Sequence, residues 1–172
     1  MAELDVLILM GSKSDWKYLQ GAVEVLRKFD LVFRATVSSA HRTPERTIDL
    51  VRAAEGEGCR VFICAAGMAA HLAGIVAAHT VRPVLGVPLP GGVLDGVDAL
   101  LSTVQMPGGI PVATFAVGSA GARNAAFFAA QIIAGERPEM RETLLAARAE
   151  GAEAVCAADQ EIAAALAESD QK

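Results

Sequence analysis

Short apolar runs alternate with segments of helical periodicity along most of this chain, and this alternation restricts its fold more than any other feature. The apolar runs are predicted to form five strands, at residues 6–10, 31–37, 61–66, 84–87 and 111–117. Between them, apolar residues recur at helical spacing, for example at Leu19, Ala22 and Leu26. Strands that alternate with helices form a parallel sheet covered by helices on both faces. We therefore expect an α/β fold of three layers around a five-stranded parallel sheet.

The number of strand–helix units also predicts where a site would lie. Five such units are typical of a flavodoxin-like sheet, in which ligands bind at the carboxyl ends of the strands, near the point where the strand order reverses. The loops after the first three predicted strands should meet there. They comprise residues 11–12, 38–42 and 67–71.

The length of 172 residues fits a single domain, and its last part is predicted to be one long helix. This Ala-rich segment, residues 138–168, carries an apolar stripe that includes Leu145, Val155 and Ile162. Because the five-stranded layer is complete without it, we expect the helix to pack on a neighbouring subunit. The alternative is a terminal helix folded back on its own core. The end, from about Glu168, is expected to fray.

Composition and charge exclude several classes of partner. Hydrophobic residues make up 53% of the chain, and the mean hydropathy is +0.39. This surplus predicts apolar subunit interfaces, since no run is long enough to span a membrane and no leader-type segment opens the chain. The net charge of −5, without a basic stripe, argues against nucleic acid. The three cysteines form no paired motif, so we expect reduced thiols in the cytoplasm.

The loop after the second predicted strand carries the most chemistry. Residues 38–44 read Ser-Ser-Ala-His-Arg-Thr-Pro, and Thr43 with Pro44 is a typical helix start. His41 is an acid/base candidate and Arg42 an anion binder, beside a helix N-terminus. This combination favours a phosphorylated substrate and proton transfer. The alternatives are a solvated or capping histidine and an ordinary surface arginine.

The loop after the first strand has two interpretations of equal weight. Residues 11–15 read Gly-Ser-Lys-Ser-Asp, which could bind substrate through Ser12 and through an Asp15 carboxylate on ribose hydroxyls. Ser12 and Asp15 also have the spacing of a capping box. The segment is neither a P-loop nor a dinucleotide-binding glycine motif, so ATP and NAD gain no support.

The loop after the third strand leads into His71 through small residues. Residues 67–70, Gly-Met-Ala-Ala, would allow a ligand ring to approach the backbone. His71 itself is as compatible with a structural hydrogen bond as with a functional role. The three histidines lack zinc-ligand spacing and no carboxylate cluster suggests magnesium, so no metal is predicted.

Five segments together resemble one known family. They are residues 11–15, 38–44, 67–72, 86–88 and 105–112, the last reading Gln-Met-Pro-Gly-Gly-Ile-Pro-Val. In order and spacing they resemble the aminoimidazole ribonucleotide carboxylase family of purine biosynthesis, from about residue 5 to about residue 135. The C-terminal helix is similar only in general character. Within the family, residues 68–72 and Asp15-Trp16 resemble class I.

The resemblance implies a reaction and a set of site residues. A class I member moves a carboxylate from the exocyclic nitrogen of N5-carboxyaminoimidazole ribonucleotide to ring carbon 4, with no metal, organic cofactor or ATP. The family's general acid/base histidine falls on His41. The implied substrate-binding residues are Ser12, Asp15, Ser38, Ala40, Arg42, Gly67, Ala70, His71 and Leu72.

The resemblance also implies partners, and two rival functions remain open. The family forms homo-octamers, which agrees with the surplus apolar surface, and transient contact with the synthetase that makes the N-carboxylated ribonucleotide is a further hypothesis. The nearer rival is a class II carboxylase, which uses carbon dioxide directly. The other is a non-catalytic flavodoxin-like binding module, such as a flavin carrier or a signalling receiver. Few aromatic residues and no strand-end cluster of acids argue against this module.

Overall fold

The computed structural model describes residues 3–169, apart from the side chain of residue 168. The chain divides between Ile133 and Ala134 into two compact units. The first unit holds the sheet and its helices, and the second holds the C-terminal helix. That all 172 residues act as one domain stays a prediction.

The described part of the first unit contains five strands and five α-helices, in the predicted alternation. The strands are Val6–Met10 (β1), Phe33–Val37 (β2), Val61–Gly67 (β3), Val84–Leu89 (β4) and Ala113–Thr114 (β5). The helices are Trp16–Lys28 (α1), Pro44–Gly56 (α2), Leu72–Ala77 (α3), Val97–Val104 (α4) and Ser119–Ile133 (α5). A single 3₁₀ turn, Lys13–Asp15, precedes α1.

The sheet confirms the predicted α/β, flavodoxin-like fold. All pairings are parallel, and the strand order is β2-β1-β3-β4-β5. Ile8 of β1 is paired with Ala35 on one side and with Ile63 on the other. The loops after β1, β2 and β3 therefore leave the same edge of the sheet side by side, which is the condition for a shared site.

Helices cover both faces of the sheet. On one face α1 packs against α5, where the rings of Phe29 and Phe127 meet edge to face with centroids 5.6 Å apart. On the other face Leu7 and Phe62 pack in one buried cluster with residues of α2 and α3. Because helices cover both faces of the sheet, side chains on both sides of a central strand are buried, and such strands are continuous apolar runs in the sequence.

Four of the five described strands differ in their bounds from the predicted ones. β2 begins at Phe33, two residues later than predicted, and β3 runs one residue further than predicted, to Gly67. β5 was predicted over residues 111–117 but pairs only at Ala113 and Thr114. β4 was predicted over residues 84–87 but continues through Pro88 to Leu89. Because β5 pairs only with Leu85 and Gly86, the missing N–H of Pro88 removes no ladder bond to β5.

The second unit contains the predicted long helix. It spans Met140–Ser169 (α6), close to the predicted residues 138–168, and the rest of the expected frayed end lies outside the described residues. Over residues 3–169, the structure has no helix with the length and apolar character that a membrane crossing requires.

The thiols of Cys59 and Cys64 should resist alkylation in the native protein. Both are buried, and burial raises the pKa of Cys59 to about 11 and that of Cys64 further still. Since the thiolate is the reactive form, neither thiol should react with iodoacetamide at pH 8 until the chain unfolds. Mass spectrometry of peptides alkylated before and after denaturation measures this, and native labelling of either residue would contradict the described packing.

Candidate active site

The loops after β1, β2 and β3 surround a cavity of about 590 Å³, together with Pro90 and Gly91 after β4. The cavity lies at the carboxyl edge of the sheet, where the sequence predicts the site. Eight of the ten predicted site residues line it: Ser12, Asp15, Ala40, His41, Arg42, Gly67, His71 and Leu72.

The other two predicted residues, Ser38 and Ala70, lie outside the cavity lining. Ser38 is buried, and its hydroxyl shares a 2.9 Å hydrogen bond with the hydroxyl of Thr47 in α2. Its backbone N–H donates to the carbonyl of Met10. Ser38 therefore ties the end of β2 to β1 and to α2, while Ala70 is a buried residue of the loop after β3.

In the loop after β1, the capping box and the cavity lining coexist. The Ser12 N–H donates to Asp15 Oδ2 at 2.8 Å, and the Ser14 N–H donates to Ser12 Oγ. The Ser14 hydroxyl donates to Ser12 Oγ at 3.0 Å. Burial raises the pKa of Asp15 above its ordinary value, although the hydrogen bonds that its carboxylate accepts from the Ser12 N–H and from the Ser14 hydroxyl oppose the shift. The loop thus presents hydroxyls and a partly desolvated carboxyl group to the cavity.

The loop after β2 is closed by a turn between Ser39 and Thr43. The Thr43 hydroxyl donates to the Ser39 carbonyl at 3.0 Å and accepts from the Ser39 N–H at 3.1 Å. Thr43 occupies the N-cap position of α2, but its hydroxyl makes this turn and does not cap the helix. Pro44 stands at the helix start as predicted. Ser39 Oγ accepts from both Nε and the backbone N–H of Arg42, at 3.4 and 3.3 Å.

The two histidines from different loops meet directly. His41 Nε2 lies 2.7 Å from His71 Nδ1, and the rings stand edge to face with centroids 4.8 Å apart. Both side chains are exposed, so a ligand in the cavity can reach them. A pair of imidazoles beside a guanidinium can bind an anionic ligand and move a proton on it.

Small residues form the wall between the loops after β3 and β4. Ala66, Gly67 and Ala69 line the cavity, and a Cβ on Gly67 would lie 3.3 Å from the Leu89 carbonyl. Met68 adopts a left-handed backbone conformation with φ of 56°, which costs a non-glycine residue about 1–2 kcal/mol. Gly67 and Leu89 are paired at the carboxyl ends of β3 and β4, so this side of the cavity is lined by small side chains and by backbone.

Sequence reasoning missed several lining residues. They include Ser14, Ser39, Pro90 and Gly91. Pro90 and Gly91 follow β4, so the rule that placed the first three loops at the carboxyl edge could have found them. Ser14 and Ser39 belong to loops that the sequence already places at this edge of the sheet, but other residues of those loops were chosen as candidates.

A second cavity of about 650 Å³ lies at the opposite edge of the sheet, where β4 and β5 begin. His79 and Arg82 line it, but His79 Nδ1 is 2.8 Å from the carbonyl of Ile75 in the preceding helix, α3. Since parallel sheets carry their sites at the carboxyl edge, the first cavity is the better candidate. Across the described residues, no three His, Cys, Asp or Glu side chains are placed to hold a metal ion.

Comparison with known proteins identifies relatives over most of the chain. The family model described as AIR carboxylase matches residues 5–154. N5-carboxyaminoimidazole ribonucleotide mutase of Pseudomonas aeruginosa is 49% identical over 148 residues, which cover 86% of this chain and 91% of that protein. The protein of the same name from Escherichia coli K12 is 50% identical, and the match covers 81% of this chain and 82% of that protein. The one from Mycobacterium tuberculosis is 46% identical, and the match covers 90% of this chain and 88% of that protein.

Solved structures agree with the sequence relatives. The crystal structure of Treponema denticola PurE superposes with a TM-score of 0.80 at 26% identity, covering 91% of this chain and 96% of that one. A PurE2 variant from the same organism has a TM-score of 0.83 at 25% identity, covering 93% and 98%.

Proposed function

The chain belongs to the AIR carboxylase family, and we propose that it is a mutase that converts N5-carboxyaminoimidazole ribonucleotide to 4-carboxy-5-aminoimidazole ribonucleotide in purine biosynthesis. Relatives with this name are about half identical to it over most of both chains. The observation that carries the chemistry is the meeting of His41, His71 and Arg42 around one cavity at the carboxyl edge.

His41 acts as the general acid in the first step. The bond between the exocyclic nitrogen and the carboxylate carbon breaks, its electrons stay on nitrogen, and carbon dioxide leaves. The nitrogen takes one proton, which His41 supplies. An imidazole suits this task because it can hold or release a proton near neutral pH.

His41 then acts as the base in the second step. Ring carbon 4 attacks the carbon dioxide, a carbon–carbon bond forms, and the proton on that carbon returns to His41. The proton count therefore closes, and no metal or organic cofactor takes part. The carbon dioxide has to be retained in the cavity between the two steps. The small residues Ala66, Gly67 and Ala69 line the cavity and would leave room for it beside an apolar surface.

The ribonucleotide is held by groups on the other two sides of the cavity. Arg42 binds the phosphate through charge-assisted hydrogen bonds, and Ser39 orients its guanidinium. Asp15 and Ser12 bind ribose hydroxyls, as their position in the cavity lining supports. Ala40 and Leu72 contribute apolar contacts, while Ser38 and Ala70 act from outside the cavity lining by supporting the loops.

The chain works as a homo-oligomer, an octamer in our proposal. Large apolar side chains are exposed along α4, among them Val97, Leu101 and Val104, and along α6. Unpartnered apolar surface of this kind favours burial between subunits, with α6 packed on a neighbour.

The cytoplasm, where thiols stay reduced, is the proposed location, and the substrate would pass by transient contact from the synthetase that makes it.

Deleting the chain after Pro138 should break the assembly. This removes α6 and its exposed Leu145, Val155 and Ile162, but keeps all strands and the cavity. At equal protein concentration, analytical ultracentrifugation should find fewer subunits per particle for the truncated chain than for the full-length chain. An intact oligomer of the truncated chain would rule out a cross-subunit role for α6.

Substrate choice tests the proposed function. Purified protein is supplied either with aminoimidazole ribonucleotide and bicarbonate, or with the N-carboxylated ribonucleotide made in situ, and formation of the 4-carboxy product is followed by absorbance. We expect rapid turnover only of the N-carboxylated substrate. Equal or faster product formation from aminoimidazole ribonucleotide and carbon dioxide would identify a carboxylase, and no turnover of either would favour a binding module.

A further inference from the structure

The shortest contact between the cavity-forming loops joins two imidazoles. At 2.7 Å, His41 Nε2 and His71 Nδ1 are too close for both to carry a hydrogen, and one proton bridges them. Either one ring donates to the other as a neutral pair, or a protonated ring donates to a neutral one. In each case the contact occupies Nε2 of His41 and Nδ1 of His71.

Each of the two histidines lies on a loop whose backbone is fixed by hydrogen bonds of its own. The carboxyl ends of β2 and β3 are separated by β1, about 10 Å apart at the usual strand spacing, so the rings meet across the end of β1. The turn between Ser39 and Thr43 fixes the loop of His41. Two tight turns fix the loop of His71, since Ala70 N–H donates to the Met68 carbonyl and His71 N–H to that of Ala69.

We propose that His71 is a positioning residue, which fixes the ring orientation and the tautomer of His41 through the 2.7 Å contact. With Nε2 engaged by His71, Nδ1 is the nitrogen of His41 that exchanges the proton of the reaction. This inference rests on the proposed mutase function. It gives His71 a role through His41, in place of direct substrate binding alone.

The mutase reaction makes such a positioning residue useful. The same imidazole has to release a proton to nitrogen and then accept one from carbon, at two positions of one ligand. A ring free to rotate about its side-chain bonds would present either nitrogen, and only one orientation would serve. The remaining charged side chains that line the cavity, within the described residues, are Asp15 and Arg42, and neither has a described bond to either ring.

Two substitutions of His71 show whether His41 needs a hydrogen bond from this position or only a side chain that fills the space. His71→Leu removes the contact, whereas His71→Asn places an amide atom near the position of Nδ1 and keeps a hydrogen bond. We expect kcat to fall about 10- to 100-fold in His71→Leu, as for partners that orient functional imidazoles in metal sites, with KM nearly unchanged. His71→Asn should recover most of kcat. His79→Asn, which removes a histidine outside the cavity, is the matched control and should behave as wild type.

Nuclear magnetic resonance gives a readout that needs no substrate. The chain has three histidines, so protein labelled with ¹⁵N-histidine gives few ring signals. We expect a scalar coupling across the hydrogen bond between His41 Nε2 and His71 Nδ1, absent in His71→Leu. Retention of wild-type kcat by His71→Leu, or equal losses in His71→Leu and His71→Asn, would overturn the proposal, as would the absence of the coupling in wild type. The coupling is measured without turnover. It therefore tests the hydrogen bond between His41 and His71 even if the protein shows no mutase activity.

Discussion

Replacing His41 with Asn should lower kcat by about 10²–10⁴-fold, the usual contribution of a general acid/base. Asn cannot exchange a proton near neutral pH, so both proton transfers lose their catalyst. The His41 side chain is exposed and makes its described hydrogen bond only to His71, so the fold should be unaffected. Steady-state conversion of the N-carboxylated substrate measures the loss, and circular dichroism with thermal unfolding checks the fold.

The control for this substitution is His79→Asn. It makes the same chemical change at an exposed histidine whose ring nitrogen contacts a backbone carbonyl of the preceding helix, α3. This variant should turn over substrate at the wild-type rate. Near-normal activity of His41→Asn would move the acid/base role to another group, with His71 as the first candidate.

Replacing Arg42 with Ala should weaken binding of the 4-carboxy product by about 1.5–3 kcal/mol, the usual strength of hydrogen bonds to charged groups. This corresponds to a Kd about 10- to 150-fold higher. The physical reason is the loss of charge-assisted hydrogen bonds to the phosphate. Isothermal titration calorimetry with the product ribonucleotide measures the change.

Arg46→Ala provides the matched control. Arg46 is an exposed arginine of α2, one helical turn beyond Arg42, and it does not line the cavity. Its removal should leave Kd unchanged, so that a general effect of net charge is excluded. The corresponding nucleoside, which lacks the phosphate, should bind wild type and Arg42→Ala equally. A wild-type Kd for the ribonucleotide in Arg42→Ala would remove the phosphate contact from the proposal.

The fold could be predicted because local sequence and tertiary structure agree for most elements. β1 was predicted to the residue, since an apolar run buried on both faces ends at Gly11. For the third helix the two disagree, because the small and apolar residues 69–79 predict a longer helix than the observed α3, which spans Leu72–Ala77. The preceding residues are used for two tight turns and for the left-handed Met68, and helical periodicity does not register such turns.

The position of the candidate site could be predicted, but not its contacts. The rule that parallel strands carry sites at their carboxyl ends brought the three loops together from topology alone. It could not show that His41 and His71 touch, because a contact between two loops depends on ring rotamers. It also could not show that the Ser38 hydroxyl bonds Thr47, or that the Thr43 hydroxyl closes a turn with Ser39.

The fate of the carboxylate tests the central claim, that one molecule of carbon dioxide is released and recaptured within the cavity. N5-carboxyaminoimidazole ribonucleotide labelled with ¹³C in its carboxylate is converted in unlabelled bicarbonate, with carbonic anhydrase present and an enzyme-free reaction as control. Mass spectrometry of the 4-carboxy product at early times should find the ¹³C label retained. A product that carries carboxylate at the isotopic composition of the solution would contradict the account, because the carbon dioxide would then have left the protein.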